Sequence, residues 1–449
     1  MKKFNKFNIC LLFFSIFLFY NILMAKEHKM EKRETIGLLI TNFVQDYSLK
    51  EAGAMIGDVI IKYNGQPVKS VEELQKYKEK CKKKEVKITV LRDEEEIELT
   101  ISKGQLGAYL SVLMPPHEVK KNAVILEGYG KLAWGIGMEN TFLGAVYRIQ
   151  EKLGEKISYT DLVGLSGYGF RVQFFDNWCP SSPDATVGKD IGSAILDILG
   201  YDYEIYALEN EFSEEDGPNV KSQSEMKEII TSNIDDGYPI IANDMIDVPE
   251  WGIVTGYQSN GDELLCRTYY DKTQSYEIAQ KFPWVIYVIK DYNPQNYRDA
   301  YKESIILAKN MYNTEKYCDY FSGIKAIEEW IIDLKDADYI KNASEKKHSE
   351  IILANWWIYY SLMEARAYAE KYLINNINKF DTDEETVREI AKLYKNEVEI
   401  FGKGFNDLPF PHQPELPEWT SEQRKNEIDT LQNILSYEKR VKEILNNKL

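Results

Sequence analysis

From Gly37 to Ile101 the apolar positions fall in short runs with a two-residue period, separated by glycine-rich turns. Gly37-Leu38-Leu39-Ile40 reads as a short apolar strand, and Ile56 to Ile61 as a glycine turn feeding a second one. Asn64-Gly65 marks a tight turn. Ser70 and Glu73 form a capping box, so the spacing predicts a helix from Val71 to about Cys81. Val86–Leu91 and Ile97–Ile101 alternate apolar and polar residues as half-buried strands do, around a turn at Asp93-Glu94-Glu95. Past Pro115-Pro116 the period lengthens. A glycine-rich turn carrying Trp134, Gly135 and Gly137 leads into an amphipathic segment, Asn140 to Leu153. A loop and a small-residue turn, Gly164-Leu165-Ser166-Gly167, follow. Helices are predicted over Asp190–Leu199, closed by Gly200, and over Ser224–Ile234, with an acidic loop from Glu209 to Val220 between them. Ile240–Ala242 is a strand, Trp251–Tyr257 and Leu264–Tyr270 form a hairpin about Asn260-Gly261, and Trp284–Lys290 is a last strand.

After residue 293 only helical spacing remains. Tyr297–Leu334 has a break near Gly323, Ser349–Ile374 is long, Asp383–Ile400 stops at Gly402-Lys403-Gly404, and a Thr420-capped helix runs to Leu445. The prediction is an α+β multidomain chain. It has a β-rich module over 34–113, an α+β domain over 117–292 and an antiparallel helical bundle over 293–449.

The first 25 residues stand apart. Three lysines in MKKFNKF precede an apolar run from Ile9 to Ala25. A charged start before an apolar stretch is the pattern of a secretory signal, with a possible cleavage site after Ala25. The run is also close to the shortest length that spans a bilayer, so an uncleaved anchor stays open. Either way the chain is expected to be exported to the periplasm or cell envelope, and to meet the membrane only through this segment.

Composition narrows the chemistry. A net charge of −17 over 449 residues argues against nucleic-acid binding, which needs clustered Lys and Arg. The 31 tyrosines suit core packing and also a small-molecule ligand in the middle domain. No cluster of metal-ligand spacing occurs, so neither metal nor other cofactor is expected. The five cysteines lack paired spacing; two disulfides among Cys81, Cys179, Cys266 and Cys318 stay open.

The run EAGAMIGDVIIKYNGQPVKSVEEL resembles the central signature of PDZ domains of the kind attached to bacterial envelope proteases, and the resemblance covers about eighty residues. It implies a groove between the Gly37–Thr41 strand and the helix beginning at Val71. An extended peptide or a protein C-terminus would add to that strand edge. The apolar loop Ile36-Gly37-Leu38-Leu39, running into Ile40, corresponds to the carboxylate-binding loop, with Val71 and Leu74 lining the side-chain pocket. The loop lacks the family's second glycine. A groove filled by the chain itself is the alternative.

The middle stretch resembles papain-like folds of the bacteriocin-leader peptidase type, and the butirosin-biosynthesis-H-like group in particular. The matching runs are Trp134-Gly135, NTFLGAVYRI, GLSGYGFR with WCPSS, WGIVTGY and RTYYD. In that fold a Cys opens the first helix, a His starts the hairpin strand and an Asp or Asn orients it. Here those places fall near Glu139–Thr141 and Glu250-Trp251, and no histidine lies between His117 and His348. The resemblance therefore implies a papain-like shape without its dyad, a pseudoenzyme that binds peptide or protein. Asp271 would hold the orienting place. Thr141 lacks an evident base, and Glu139 with Glu250 offers a carboxyl pair for acid–base work. The competing reading is a cysteine-dependent hydrolase or acyltransferase using Cys179, which sits in the turn-rich run Asn177-Trp178-Cys179-Pro180.

Overall fold

The computed structural model describes residues 34–43, 48–93, 95–104, 106–209, 211, 219–294, 298–336, 340, 342–411 and 417–448. The first 25 residues, read above as a signal or anchor, and Glu94 lie outside them. Among the described residues no helix is long and apolar enough to cross a membrane.

The amino-terminal module is built as the periodicity predicts. Strand β1 (Gly37–Phe43) is followed by a helical turn α1 (Ser48–Glu51), then β2 (Val59–Tyr63) and β3 (Gln66–Pro67). Asn64 and Gly65 link the last two, at φ 48° and 79°, the left-handed pair that a tight hairpin requires. Helix α2 (Val71–Lys80) starts at Ser70, whose hydroxyl accepts the Glu73 N–H at 3.2 Å. Strands β4 (Glu85–Arg92) and β5 (Glu95–Ser102) complete the predicted set. One further strand, β6 (Ala108–Leu113), lies where the sequence reading has only the approach to a linker. The sheet order is β5-β4-β2-β1-β6, so β1 is paired on both edges. Leu38, Ile40, Ile60, Leu74 and Ile88 fill one apolar core.

Past the short strand β7 (Val124–Ile125), α3 (Thr141–Leu153) forms on the predicted amphipathic segment. Where a loop was expected, α4 (Tyr159–Leu165) follows, held by a capping box between Ser158 and Asp161. Next come β8 (Gln173–Phe174), α5 (Gly192–Leu199), β9 (Tyr201–Leu208), β10 (Val220–Lys221) and α6 (Gln223–Asp235). Then β11 (Ile240–Asn243), β12 (Trp251–Gln258), β13 (Glu263–Arg267), β14 (Glu277–Ile278) and β15 (Val285–Tyr292) close the sheet. Its order is β10-β9-β15-β11-β12-β13-β14, with β7 also on β12. The sequence reading assigns no element to β9, yet it pairs with β15 along its length. Phe142 of α3 meets Trp251 and Tyr287 of the sheet edge-on, at 5.0 and 5.1 Å between ring centres.

The tail contains α7 (Arg298–Asn313), a small hairpin β16 (Lys316–Tyr317) and β17 (Tyr320–Ser322), then α8 (Gly323–Lys335). Helices α9 (Glu345–Asn375), α10 (Glu384–Gly404) and α11 (Ser421–Lys448) follow. The expected boundary at residue 293 does not separate two cores. Phe142, Leu162 and Tyr287 share one apolar cluster with Tyr312, Tyr372, Tyr394 and Val441. β17 also pairs with β8, placing Phe321 opposite Phe174. The tail helices pack on one another and on the middle domain at once: Trp330, Ile358, Phe401 and Leu431 share a second cluster with Phe174 and Trp178.

Gly164 shows how close the two halves come. A Cβ there would sit 2.2 Å from the ring of Tyr372. Gly164→Ala is expected to cost about 1–3 kcal/mol through overpacking, read as a lower urea midpoint. An unchanged midpoint would mean that α4 and α9 are not in contact.

Candidate functional site

The free edge that β1 offers is taken by β6. The two run antiparallel, with Gly37 opposite Leu113, Leu38 opposite Val112, Leu39 opposite Ser111 and Ile40 opposite Leu110. A bulge follows, and Thr41 donates its hydroxyl to the Tyr109 carbonyl at 3.2 Å. Ile36 donates its N–H to the Leu113 carbonyl at 2.8 Å. Period-two geometry sends alternate side chains of β6 to one face. Ala108, Leu110 and Val112 pack on the cluster that contains Leu38, Ile40 and Leu74.

The sequence-predicted groove residues divide accordingly. Leu38, Ile40 and Leu74 are buried on the groove's core side, while Ile36 and Val71 remain exposed at its rim. Leu39 faces the other way and packs with Val59 and Leu113, so its side chain is not a groove wall. Gly37 is needed for a close approach, because a Cβ there would lie 2.4 Å from the Ile60 carbonyl. On the far side of β6 a cleft separates the module from the middle domain. Thr41, Leu110 and Val112 face Trp134, Tyr269 and Lys272 across it.

The second candidate is the start of α3. Asn140 caps it, its side-chain oxygen accepting the Leu143 N–H at 3.1 Å. Thr141 Oγ1 lies 2.9 Å from Glu250 Oε2 and accepts the Trp251 N–H at 3.3 Å. The Trp251 indole donates to Asp184 at 2.7 Å. Burial pushes the Glu250 carboxyl up to about 8, with the Asp184 charge adding to it against the Thr141 hydrogen bond. The fold therefore brings the helix-opening residue and the hairpin-opening residue together. It leaves the threonine hydroxyl facing a carboxyl that stays largely protonated near neutrality, which is no base for it.

Glu139 does not pair with Glu250. Its carboxylate accepts the Gly135 N–H at 2.8 Å, and its own N–H donates to Glu364 of α9 at 3.0 Å. Burial raises both carboxyls, Glu139 to about 7 and Glu364 to about 8. Helix α9 thus lies across the α3 start. An acid at a helix amino terminus is favourable there. Asp271 does not orient a base; it accepts the Thr268 N–H at 2.8 Å and pairs with Arg267 at 3.2 Å. His117 is drawn to Glu277.

At Cys179 burial outweighs the hydrogen bonds from Tyr320 and Ser181 that would favour a thiolate. Its sulfur accepts the Tyr320 hydroxyl at 3.4 Å, and burial pushes the thiol up. A reactive cysteine needs the opposite shift. Cys81, Cys179 and Cys266 are all free, so two disulfides among the four cysteines do not form.

Two features of the candidate sites escaped the sequence reading. The first is β6, whose alternation of Ala108, Leu110 and Val112 with Tyr109 and Ser111 is a legible strand signal. The second is Glu364, which lies in an ordinary helical period and becomes notable only through its position over α3.

The family model for the PDZ domain matches residues 24–102. No curated protein matches the chain. Strand β6 begins after the matched stretch ends.

Proposed function

We propose, from the PDZ domain that this chain carries, that the protein binds extended peptides or protein C-termini along the edge of β1. PDZ domains bind such partners by adding a strand to a sheet edge. The observation that carries the reading is β6: an extended segment already lies on β1, with alternate apolar side chains on the cluster of Leu38, Ile40 and Leu74. The peptide-binding set is then Ile36, Gly37 and Leu38 at the loop, Ile40 along the strand, and Val71 and Leu74 on the helix.

The direct test uses the full chain with Leu110→Lys and Val112→Lys, which makes β6 a poor occupant. A fluorescent hexapeptide of residues 107–112, Gly-Ala-Tyr-Leu-Ser-Val with a free carboxylate, is expected to bind it with micromolar affinity. Adding Leu74→Lys is expected to abolish binding. A chain with an open groove that ignores this peptide would overturn the reading.

The middle domain is, in the same proposal, a papain-like body related to the butirosin-biosynthesis-H-like group that has lost its dyad. The contact of Thr141 with Glu250 supports it, because these residues open the first helix and the hairpin strand, where Cys and His stand in that fold. In Thr141→Cys/Glu250→His the thiol is expected to ionise well below its usual 8.5, seen as thiolate absorbance near 240 nm at about pH 6. A thiol that ionises normally would argue against dyad geometry. Export is supported by the charged start and the Ile9–Ala25 apolar run. Amino-terminal sequencing of the mature chain tests it: a start after Ala25 indicates a removed signal, a start at Met1 an anchor.

A further inference from the structure

β6 belongs to two places at once. On one edge it completes the β1 ladder, and it does so from outside the stretch that matches the PDZ family. On the other side it holds the middle domain. The Tyr109 ring lies on Gly135 so closely that a Cβ on that glycine would come within 2.4 Å of the ring. The Asn42 amide, opposite Tyr109 on β1, donates to the Gly135 carbonyl. Gly135 in turn donates to Glu139, which bonds Glu364 over the start of α3. An unbroken set of contacts therefore runs from the peptide groove to the α3 amino terminus.

We propose that β6 is a resident, intramolecular ligand of the PDZ groove, and that an incoming peptide must displace it and thereby frees the Trp134–Gly137 turn before α3. The inference rests on the peptide-binding reading above. The competing partner is an extended peptide with a free carboxylate and apolar residues at its last and third-last positions. That is the chemistry β6 itself presents through Val112 and Leu110. A tethered strand competes at an effective concentration in the millimolar range, so occupancy by β6 weakens free peptide without forbidding it. Release of β6 also removes one wall of the cleft that holds Trp134, Tyr269 and Lys272, joining peptide capture to access at the middle domain.

The test compares the unaltered full chain with the Leu110→Lys/Val112→Lys chain, using the same hexapeptide. The expected result is binding to the unaltered chain roughly 10-fold or more weaker. At saturating peptide, hydrogen exchange in the unaltered chain should quicken at residues 108–113 and 134–137. A second variant avoids reliance on the double lysine change. Leu39 and Ser111 are directly opposed, so Leu39→Cys/Ser111→Cys can lock β6 in place. Oxidised, this chain should not bind the peptide; reduced, it should recover. Equal affinity in the unaltered and double-lysine chains, or binding to the locked chain, overturns the resident-ligand inference while peptide binding stands. Absence of binding in every open form overturns the peptide reading itself. Faster exchange at 108–113 with none at 134–137 overturns the link to α3.

Discussion

Replacing Arg366 with methionine is expected to lower unfolding stability by about 3–5 kcal/mol, the cost of stranding buried charge. Arg366 has no exposed surface. Its Nε and Nη2 donate to one oxygen of Glu438 at 2.8 and 2.6 Å, and its Nη1 donates to the Gly169 carbonyl at 2.6 Å. Glu397 lies 3.4 Å away, and the Tyr394 ring sits 5.1 Å from the guanidinium carbon. The guanidinium thus joins α9, α10 and α11 to the turn after α4. Without it two buried carboxyls face each other with no cation, and the Gly169 carbonyl loses a donor. The triple change Arg366→Met/Glu397→Gln/Glu438→Gln should recover much of the loss, because the penalty comes from unpaired charge and not from missing attraction. Urea unfolding followed by circular dichroism reads both. A single-variant loss below about 1 kcal/mol would place the network at a solvated surface.

The chain is also expected to be more stable at pH 5 than at pH 8. Glu364, Glu427 and Asp271 are all buried. Burial pushes Glu364 and Glu427 up to about 8 and Asp271 up to about 7, the last against the opposing charge of Arg267. Raised folded values mean that the native chain holds more protons than the unfolded chain between roughly pH 4.5 and pH 8. The stability these groups confer is present below their unfolded values and is lost as pH rises through 7 to 8. Each unit of separation corresponds to about 1.4 kcal/mol. Glu427→Gln isolates one group. Its partner is the Asn355 amide, which donates to it at 2.8 Å, and glutamine can accept the same bond. The variant should stay close to the parent near pH 5 and exceed it by about 3–4 kcal/mol at pH 8. A parent whose melting temperature rises from pH 5 to pH 8, or a Glu427→Gln chain with no gain, would show that these carboxyls are not held neutral by the fold.

Both predictions concern residues that look ordinary in the sequence. Arg366, Glu397 and Glu438 occupy helical positions that read as solvated charge, and Glu427 follows a capped start like any surface acid. Local pattern does not reveal their burial, because each is covered by a helix from elsewhere in the chain. The candidate dyad positions behaved differently. The helix start at Thr141 and the hairpin start at Glu250 were both legible from caps and alternation, but their contact across 109 residues was not. The groove lay between these cases. Its loop, strand and helix were readable from Gly37, the Ser70–Glu73 cap and Leu74, while the face that each strand side chain takes was left to the fold, since a strand exposes alternate residues to opposite faces.

By itself the sequence determined what short-range physics controls. Turn glycines, caps and apolar periods specified most strands and helices, and with them the β-rich module, whose signature is local and dense. Tertiary structure decided who meets whom. It set β6 on the β1 edge, laid α9 over the α3 start, fused the tail's core with that of the middle domain and set Cys179, half-buried, against the Tyr320 hydroxyl. Those outcomes depend on which apolar faces and open hydrogen-bonding edges find one another over long separations. Such pairings are chosen by complementarity in three dimensions, and a residue's immediate neighbours in the chain carry little of that information.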